Sequence, residues 1–259
     1  MLKKRLAHPL TRGRNLDDPQ TTLLRRRIIE EKKFLWRIYY EWYKAIGAAL
    51  PPGKGPFLEL GSGPGFLKEV IPGLITSEVL DLPGVDVVLD GQQLPFRSQA
   101  LRGIVMIDVL HHLPQPRRFF AEAARCIGPG GVIIMVEPWV TPWSRFIYQH
   151  FHQEPFCPDA VAWEFPPCGP LTGANGALPW IIFARDRSQF EREFPEWQIR
   201  KIEQGMPVRY LLSGGVSLVS LNPAWTFGLW QRIENLLKPL MKYLAMFTQI
   251  ELVRTPINL

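Results

Sequence analysis

The stretch Phe57-Leu58-Glu59-Leu60-Gly61-Ser62-Gly63-Pro64-Gly65-Phe66 constrains the fold more than any other part of the 259-residue chain. An apolar run carrying one carboxylate, Glu59, breaks into glycines at alternate positions, Gly61, Gly63 and Gly65. This pattern predicts a buried parallel strand ending in a tight turn that no side chain crowds, with backbone amides and a helix N-terminus beside a ligand. The hydride-transfer fingerprint Gly-x-Gly-x-x-Gly fails, because its sixth position is Phe66.

Further landmarks follow in order. Val79 and Leu80 lead to Asp81, and Val85 to Leu89 lead to Asp90, Gly91 and Gln92. Gln92 to Phe96 reads as a turn, Ile104 to Leu113 as a strand with a His111-His112 exit, and Pro116 to Cys126 as a helix. Ile127 to Gly131 turns into a strand over Val132 to Val136, which ends at Glu137 and Pro138. With Gly-x-Gly-x-Gly behind an acidic residue, this series resembles the class I S-adenosylmethionine-dependent methyltransferases, in their type 11-like, small-molecule branch. The resemblance covers residues 55–140.

It implies an α/β fold: a doubly wound, mostly parallel seven-stranded sheet whose last strand is antiparallel. Gln198 to Gly205 and Gln249 to Arg254 read as the sixth and seventh strands. The implied cofactor is S-adenosyl-L-methionine. Glu59, Gly61, Gly63 and Gly65 would form its cradle, Asp81 would hold the ribose hydroxyls, Asp90 and Gly91 would sit beside the adenine, and Ile107 and Asp108 would flank it at the end of the fourth strand. The family begins that strand with Asp, where this chain has Arg102, which we read as a structural replacement.

Methyl transfer is an in-line displacement activated by the cofactor itself, so the protein must position the partners and, for a hydroxyl acceptor, take up a proton. Asp108, His111, His112 and Glu137 are the candidates, with His111 and Glu137 expected as the catalytic pair. No metal is expected: His150 and His152 are too sparse a pair, and neither Cys nor carboxylate has complementary spacing.

Charge divides the chain. Residues 1–44 hold 12 Lys/Arg against 5 Asp/Glu, whereas the remainder is nearly neutral at 18 against 19. We therefore read residues 1–50 as a basic arm and 51–259 as the catalytic domain. Residues 1–20 read as extended, and one amphipathic helix is expected from Thr21 to Pro51, with Ile28, Leu35, Tyr39, Trp42 and Ile46 on one face. It either packs on the sheet edge or lids the cofactor cleft or, through Arg25, Arg26, Arg27, Lys32 and Lys33, meets anionic lipid or nucleic acid. Trp36, Tyr39, Tyr40 and Trp42 would then act as an interfacial anchor.

Residues 138–187 form an insertion over the ligand edge of the sheet, with Trp139, Trp143, Trp163, Phe165, Asn175 and Trp180 as expected walls of an acceptor pocket. Tyr210 to Gln231 carries no charge and reads as the pocket's mouth, followed by an amphipathic helix over Leu229 to Leu244 that Pro239 should kink. These features favour a small, hydrophobic or lipid-like acceptor and admit peripheral membrane contact. Nucleic acid is disfavoured, since no Asn/Asp-Pro-Pro-aromatic turn follows the fourth strand; RNA methylation through the basic arm and a non-catalytic binding protein are the alternatives. Three cysteines without a C-x-x-C pair, and no apolar run after Arg5, point to a reducing, cytoplasmic setting at or near the inner face of a membrane.

Overall fold

A seven-stranded sheet in the order β3-β2-β1-β4-β5-β7-β6 organises the computed structural model, which describes residues 7–152, 154–169 and 171–255. Its parallel half consists of β1 (Phe57–Glu59), β2 (Ile75–Glu78), β3 (Val87–Val88), β4 (Leu101–Ile107) and β5 (Ile127–Pro138). β6 (Trp197–Gly205) and β7 (Phe247–Arg254) complete the sheet, with β7 antiparallel to both β5 and β6. Ile104, Val105, Met106, Val132, Ile133, Ile134 and Met135 are all inaccessible, as expected of central strands covered on both faces. β5 starts earlier than the sequence suggests: Leu101 pairs with Ile127 and Gly103 with Val132, so residues 128–131 bulge within the strand.

The N-terminal segment is two helices, not one. α1 (Pro19–Glu31) is capped by Asp18, whose side chain accepts from the Gln20 amide at 2.9 Å. It breaks at Lys32 before α2 (Lys33–Ala49). The break lets the Lys32 ammonium donate to the carbonyls of Gly215 and Leu218, at 2.5 and 2.9 Å. Residues 7–18 are not a loose extension either: Ala7 bridges Leu218, the His8 amide donates to Ser217 O, and Asp17 Oδ1 accepts from the Leu171 amide at 2.7 Å. The remaining residues expected to be extended, 1–6, lie outside the described residues.

α2 belongs to the main core through Phe34, Leu35, Ile38, Tyr43 and Ile46. It stands over the glycine turn, where Tyr43 and Phe66 meet edge-on at 4.7 Å and Trp36 stacks on Phe66 at 5.5 Å. The helix expected after that turn is a single turn, α3 (Leu67–Val70), so α2 supplies the cover. Arg102 at the head of β4 donates to Pro51 O and, at 2.7 Å, to Gly53 O, and lies 4.7 Å over the Phe57 ring. It ties the loop before β1 to the sheet, a structural role.

α4 (Pro116–Cys126) precedes β5, and α5 (Pro142–Phe151) follows it with a capping box between Thr141 and Ser144. Between β6 and β7 run α8 (Arg209–Ser213), α9 (Phe227–Leu236) and, beyond Pro239, α10 (Met241–Leu244); α6 (Leu178–Trp180) and α7 (Arg187–Glu193) close the insertion. A buried ion pair anchors this C-terminal set. Arg209 Nε donates to Glu234 at 2.5 Å and its Nη1 to Glu41 on α2 at 2.8 Å, with the guanidinium over Phe227. No helix among the described residues is long and apolar enough to cross a membrane.

Candidate active site

A cleft of about 530 Å³ opens at the C-terminal edge of the parallel strands. This is where open α/β sheets bind ligands. One half is built on the glycine turn. Gly61 has φ +67° and an added Cβ would meet Val109 at 2.5 Å, while a Cβ on Gly65 would meet the Tyr43 hydroxyl at 2.6 Å. Only glycine fits either position without moving a neighbour. The Tyr43 hydroxyl accepts from the Phe66 amide at 3.1 Å, joining α2 to the turn.

Two carboxylates brace this turn. Ser62 Oγ donates to Glu59 at 2.8 Å, and the Gly63 amide donates to Glu78 Oε2 at 2.9 Å. Burial pushes the Glu59 carboxyl up to about 7, against the Ser62 hydrogen bond and with some help from the neighbouring Glu78. Burial also raises Glu78, opposed by the Val79 and Gly63 amides. Glu78 ends β2 and lines the cleft; Asp81 is exposed on the following loop and does not. Asp81, expected beside the ligand, is thus outside the cleft, and Glu78 is the carboxylate that lines it at the end of β2. Just before β3, Asp86 accepts from the Thr76 amide and hydroxyl at 2.8 and 2.9 Å and so ties the two strands together. Asp90, Gly91, Ile107 and Asp108 line the cleft as expected, with Asp90 accepting from the Gln92 amide at 2.8 Å.

The other half surrounds the exit of β4. His111 Nδ1 lies 2.7 Å from Glu137 Oε2, and Glu137 Oε1 accepts from the amides of Val109 and Leu110 at 2.9 and 2.7 Å. Glu137 is wholly buried and does not reach the cleft, so it orients His111 and meets no acceptor. On its other side, His111 Nε2 lies 3.6 Å from Glu154, too far for a good hydrogen bond but close enough for ionic attraction. Burial alone would lower the imidazolium's pKa; the flanking Glu137 and Glu154 carboxylates outweigh it and hold His111 at about 10. The two flanking carboxylates thus favour the protonated form of His111. His112 is the reverse: burial and the adjacent His111 push it down to about 4, and its Nδ1 faces Gly173 O at 3.2 Å. Asp108, at φ +55°, is raised to about 7 by burial, with His111 opposing and Glu137 and Glu154 adding.

The acceptor walls are not the expected ones. Trp139, Trp143, Trp163, Phe165, Asn175 and Trp180 do not line the cleft. Trp143 Nε1 donates to Pro207 O at 2.8 Å, and Trp163 Nε1 to Asp186 at 2.9 Å beneath the Arg117 guanidinium. Asn175 accepts from the Cys157 amide at 2.9 Å, and its own amide donates to His111 O, which fixes the histidine's backbone. The walls are instead Ile147, Tyr148 and Phe151 of α5, and Tyr210, Leu211, Val216 and Leu218 from the uncharged segment. Of the uncharged segment expected at the mouth, residues 210–218 line the cleft and 219–231 do not.

From α1 and α2, Thr22, Arg25, Tyr39 and Tyr43 close the cleft, and Arg25 Nε is buried there without a protein partner. Of the arm's other cations, Arg26 pairs with Glu30 and Glu69, Arg27 with Glu31, and Lys32 with the two carbonyls. Of the four rings expected as an interfacial anchor, Tyr39 and Trp42 are buried, Trp36 is half-buried and Tyr40 is exposed. Sequence reasoning missed Glu78, Arg25 as a cleft residue, and Glu154. The signals that could have found them were a second carboxylate three residues before Asp81 and the helical phase of Arg25 with Thr22.

Residues 58–135 match the model of the family described as methyltransferase domain. This segment therefore carries the sequence pattern of a methyltransferase domain. No curated protein matches the chain. Among solved structures, the methyltransferase domain and its additions are similar to a possible histamine N-methyltransferase of Thermotoga maritima at 14% identity and a TM-score of 0.52, over 90% of this chain and 99% of that one. They are also similar to geranyl diphosphate C-methyltransferase of Streptomyces coelicolor A3(2), solved with Mg2+, geranyl diphosphate and S-adenosyl-L-homocysteine, at 15% identity and a TM-score of 0.52, over 96% and 92% of the two chains. At such identities the likeness shows a shared fold.

Proposed function

We propose that the chain binds S-adenosyl-L-methionine and transfers its methyl group to a small, largely hydrophobic acceptor. The observation that carries this reading is the bracing of the Gly61–Gly65 turn by Glu78: a carboxylate anchored on the Gly63 amide at the end of β2, with Asp90 at the end of β3, in one cleft. Glu78 has acceptor capacity left for two ribose hydroxyls, and Asp90 with Gly91 offers polar groups to the adenine edge. Glu59 and the turn's amides face the methionine end of the cofactor.

When bound, the cofactor supplies an activated methyl group and a neutral thioether leaving group. The chain contributes position and exclusion of water. α1 and α2 cover the turn, while α5 and residues 210–218 wall the side from which the acceptor approaches. The walls are chiefly apolar, and the Arg25 guanidinium at the cleft offers the acceptor or the cofactor carboxylate one cationic group. This supports an apolar molecule with a single polar or anionic end.

A lipid surface is the source of acceptor that the molecule's exterior favours. Trp225, Leu229, Leu236, Leu240 and Tyr243 are exposed, Trp225 at 80% and Leu236 at 81%. Arg232, Lys238 and Lys242 are exposed among them, and the one carboxylate of residues 221–244, Glu234, is buried on Arg209. Apolar and cationic groups without exposed anions match an anionic bilayer. The patch follows directly on the segment that lines the cleft.

The full chain incubated with methyl-labelled S-adenosylmethionine and a total cell extract should carry label into the organic-extractable fraction. Label appearing only in nucleic acid or protein would replace this acceptor class, and no label in any fraction would favour a non-catalytic binding protein.

A further inference from the structure

His111 and His112 do not behave like a histidine pair used only for packing. Each ring has its Nδ1 engaged on the side away from the cleft. His111 Nδ1 is held by Glu137 at 2.7 Å and His112 Nδ1 faces the Gly173 carbonyl at 3.2 Å. Both rings line the cleft, with centroids 4.2 Å apart. Glu154 enters the same corner from the insertion, and one ligand atom from each of the three residues lies within 4.8 Å of the others. The His111 Nε2 to Glu154 separation of 3.6 Å is long for a hydrogen bond. Two donors each about 2.0–2.2 Å from one tetrahedral ion stand about that far apart.

We infer that His111 Nε2, His112 Nε2 and a Glu154 carboxylate oxygen form a binding site for a divalent transition-metal ion of the zinc class, with its remaining coordination position open to the cleft. Two imidazoles and one carboxylate are a donor set that such ions favour, and three protein ligands leave room for an external one. A metal-bound histidine ordinarily has its other ring nitrogen held by a carboxylate or a backbone carbonyl, which fixes the ring. Both arrangements are present, one on each ring. Glu137 serves instead to hold His111, because it faces Nδ1, the ring nitrogen away from the ion, and is itself fixed by the Val109 and Leu110 amides. The fourth position faces the apolar walls of α5 and residues 210–218. It would take an oxygen, nitrogen or sulfur atom of the acceptor's polar end.

The sequence alone does not announce this site, since Glu154 is 42 residues from His112 and only the fold after β5 brings it back. The site extends the proposed function without depending on it: metal binding is measured with no cofactor or acceptor present.

The test is a titration of Zn2+ or Co2+ into the chelator-stripped full chain, by calorimetry and by the visible spectrum of bound Co2+. We expect one saturable equivalent and a Co2+ spectrum of low-symmetry, nitrogen- and oxygen-rich coordination. His112→Gln and Glu154→Gln should each remove that equivalent while the circular dichroism of the apo chain stays that of the folded wild type. Glu137→Gln should weaken affinity roughly 10- to 100-fold without abolishing it. No saturable binding to the wild-type chain, or binding that survives both His112→Gln and Glu154→Gln, would overturn the site. A chain that binds cofactor but no metal would sink this inference alone; one that binds metal but no cofactor would sink the proposed function alone.

Discussion

Replacing Glu78 by alanine should weaken binding of S-adenosyl-L-homocysteine while replacing Asp81 should not. Glu78 is nearly buried at the end of β2, with Oε2 on the Gly63 amide at 2.9 Å and Oε1 on the Val79 amide at 2.8 Å. Those two bonds aim the carboxylate into the cleft and leave it free acceptor capacity for the ribose hydroxyls. Hydrogen bonds to a charged group contribute about 1.5–3 kcal/mol. The variant should therefore bind roughly 10- to 150-fold more weakly. Loss of the Gly63 anchor adds to this by loosening the turn. Asp81 is exposed and outside the cleft, so Asp81→Ala should stay within about twofold, the ordinary scatter of a surface change. Isothermal titration of the two variants beside the wild type decides the matter. Equal affinity in Glu78→Ala and wild type, or a large loss confined to Asp81→Ala, would refute the assignment.

Three further outcomes are expected. Burial lifts the Glu59 carboxyl from 4.5 to about 7, so the folded chain keeps a proton that the unfolded chain has released; the group's contribution is fully present below about pH 4.5 and is lost as pH rises towards 7. That loss is on the order of 3 kcal/mol, and chemical denaturation across this window should show it shrinking in Glu59→Gln; an unchanged slope would contradict it. Glu234→Ala leaves the buried Arg209 cation without its nearest partner and should cost about 3–5 kcal/mol, read from denaturant midpoints; a loss under about 0.5 kcal/mol would mean the pair is solvated. Vesicles containing anionic lipid should carry the chain to the top of a flotation gradient at low salt, less so at high salt and in a Trp225→Ser/Leu236→Ser variant. Equal behaviour of that variant would remove the C-terminal helices as the docking face.

Much of the fold was legible because its signals are local. The alternate glycines of residues 61–65 mark a turn that other residues cannot make, and the apolar runs of β4, β5 and β7 are what doubly covered strands require. The helix over Pro116–Cys126 was placed at both ends, since Pro116 opens it and the glycines after Ile127 close it. The site was less legible, for reasons of distance. Val79 and Leu80 look like the end of a strand, yet pairing stops at Glu78 opposite Val88, a limit set by a strand eight or more residues further on. Tryptophans in the insertion signalled burial, which they have, but burial against the sheet and burial in a pocket share one composition. Arg25 counted as one charge of a basic run; only the packing of α1 on the cleft separates it from Arg26 and Arg27. The break at Lys32 carries no proline or glycine, and its cause, the carbonyls of Gly215 and Leu218, lies about 185 residues away.

The most direct measurement of the central claim is a calorimetric titration of the wild-type chain with S-adenosyl-L-homocysteine, with adenosine diphosphate as the control ligand. The cleft at the Gly61–Gly65 turn predicts a single saturable site, with homocysteine and ribose contacts both contributing and the control bound far more weakly. No saturable heat with S-adenosyl-L-homocysteine, or equal binding of the two ligands, would contradict a methyl-donor site in this cleft.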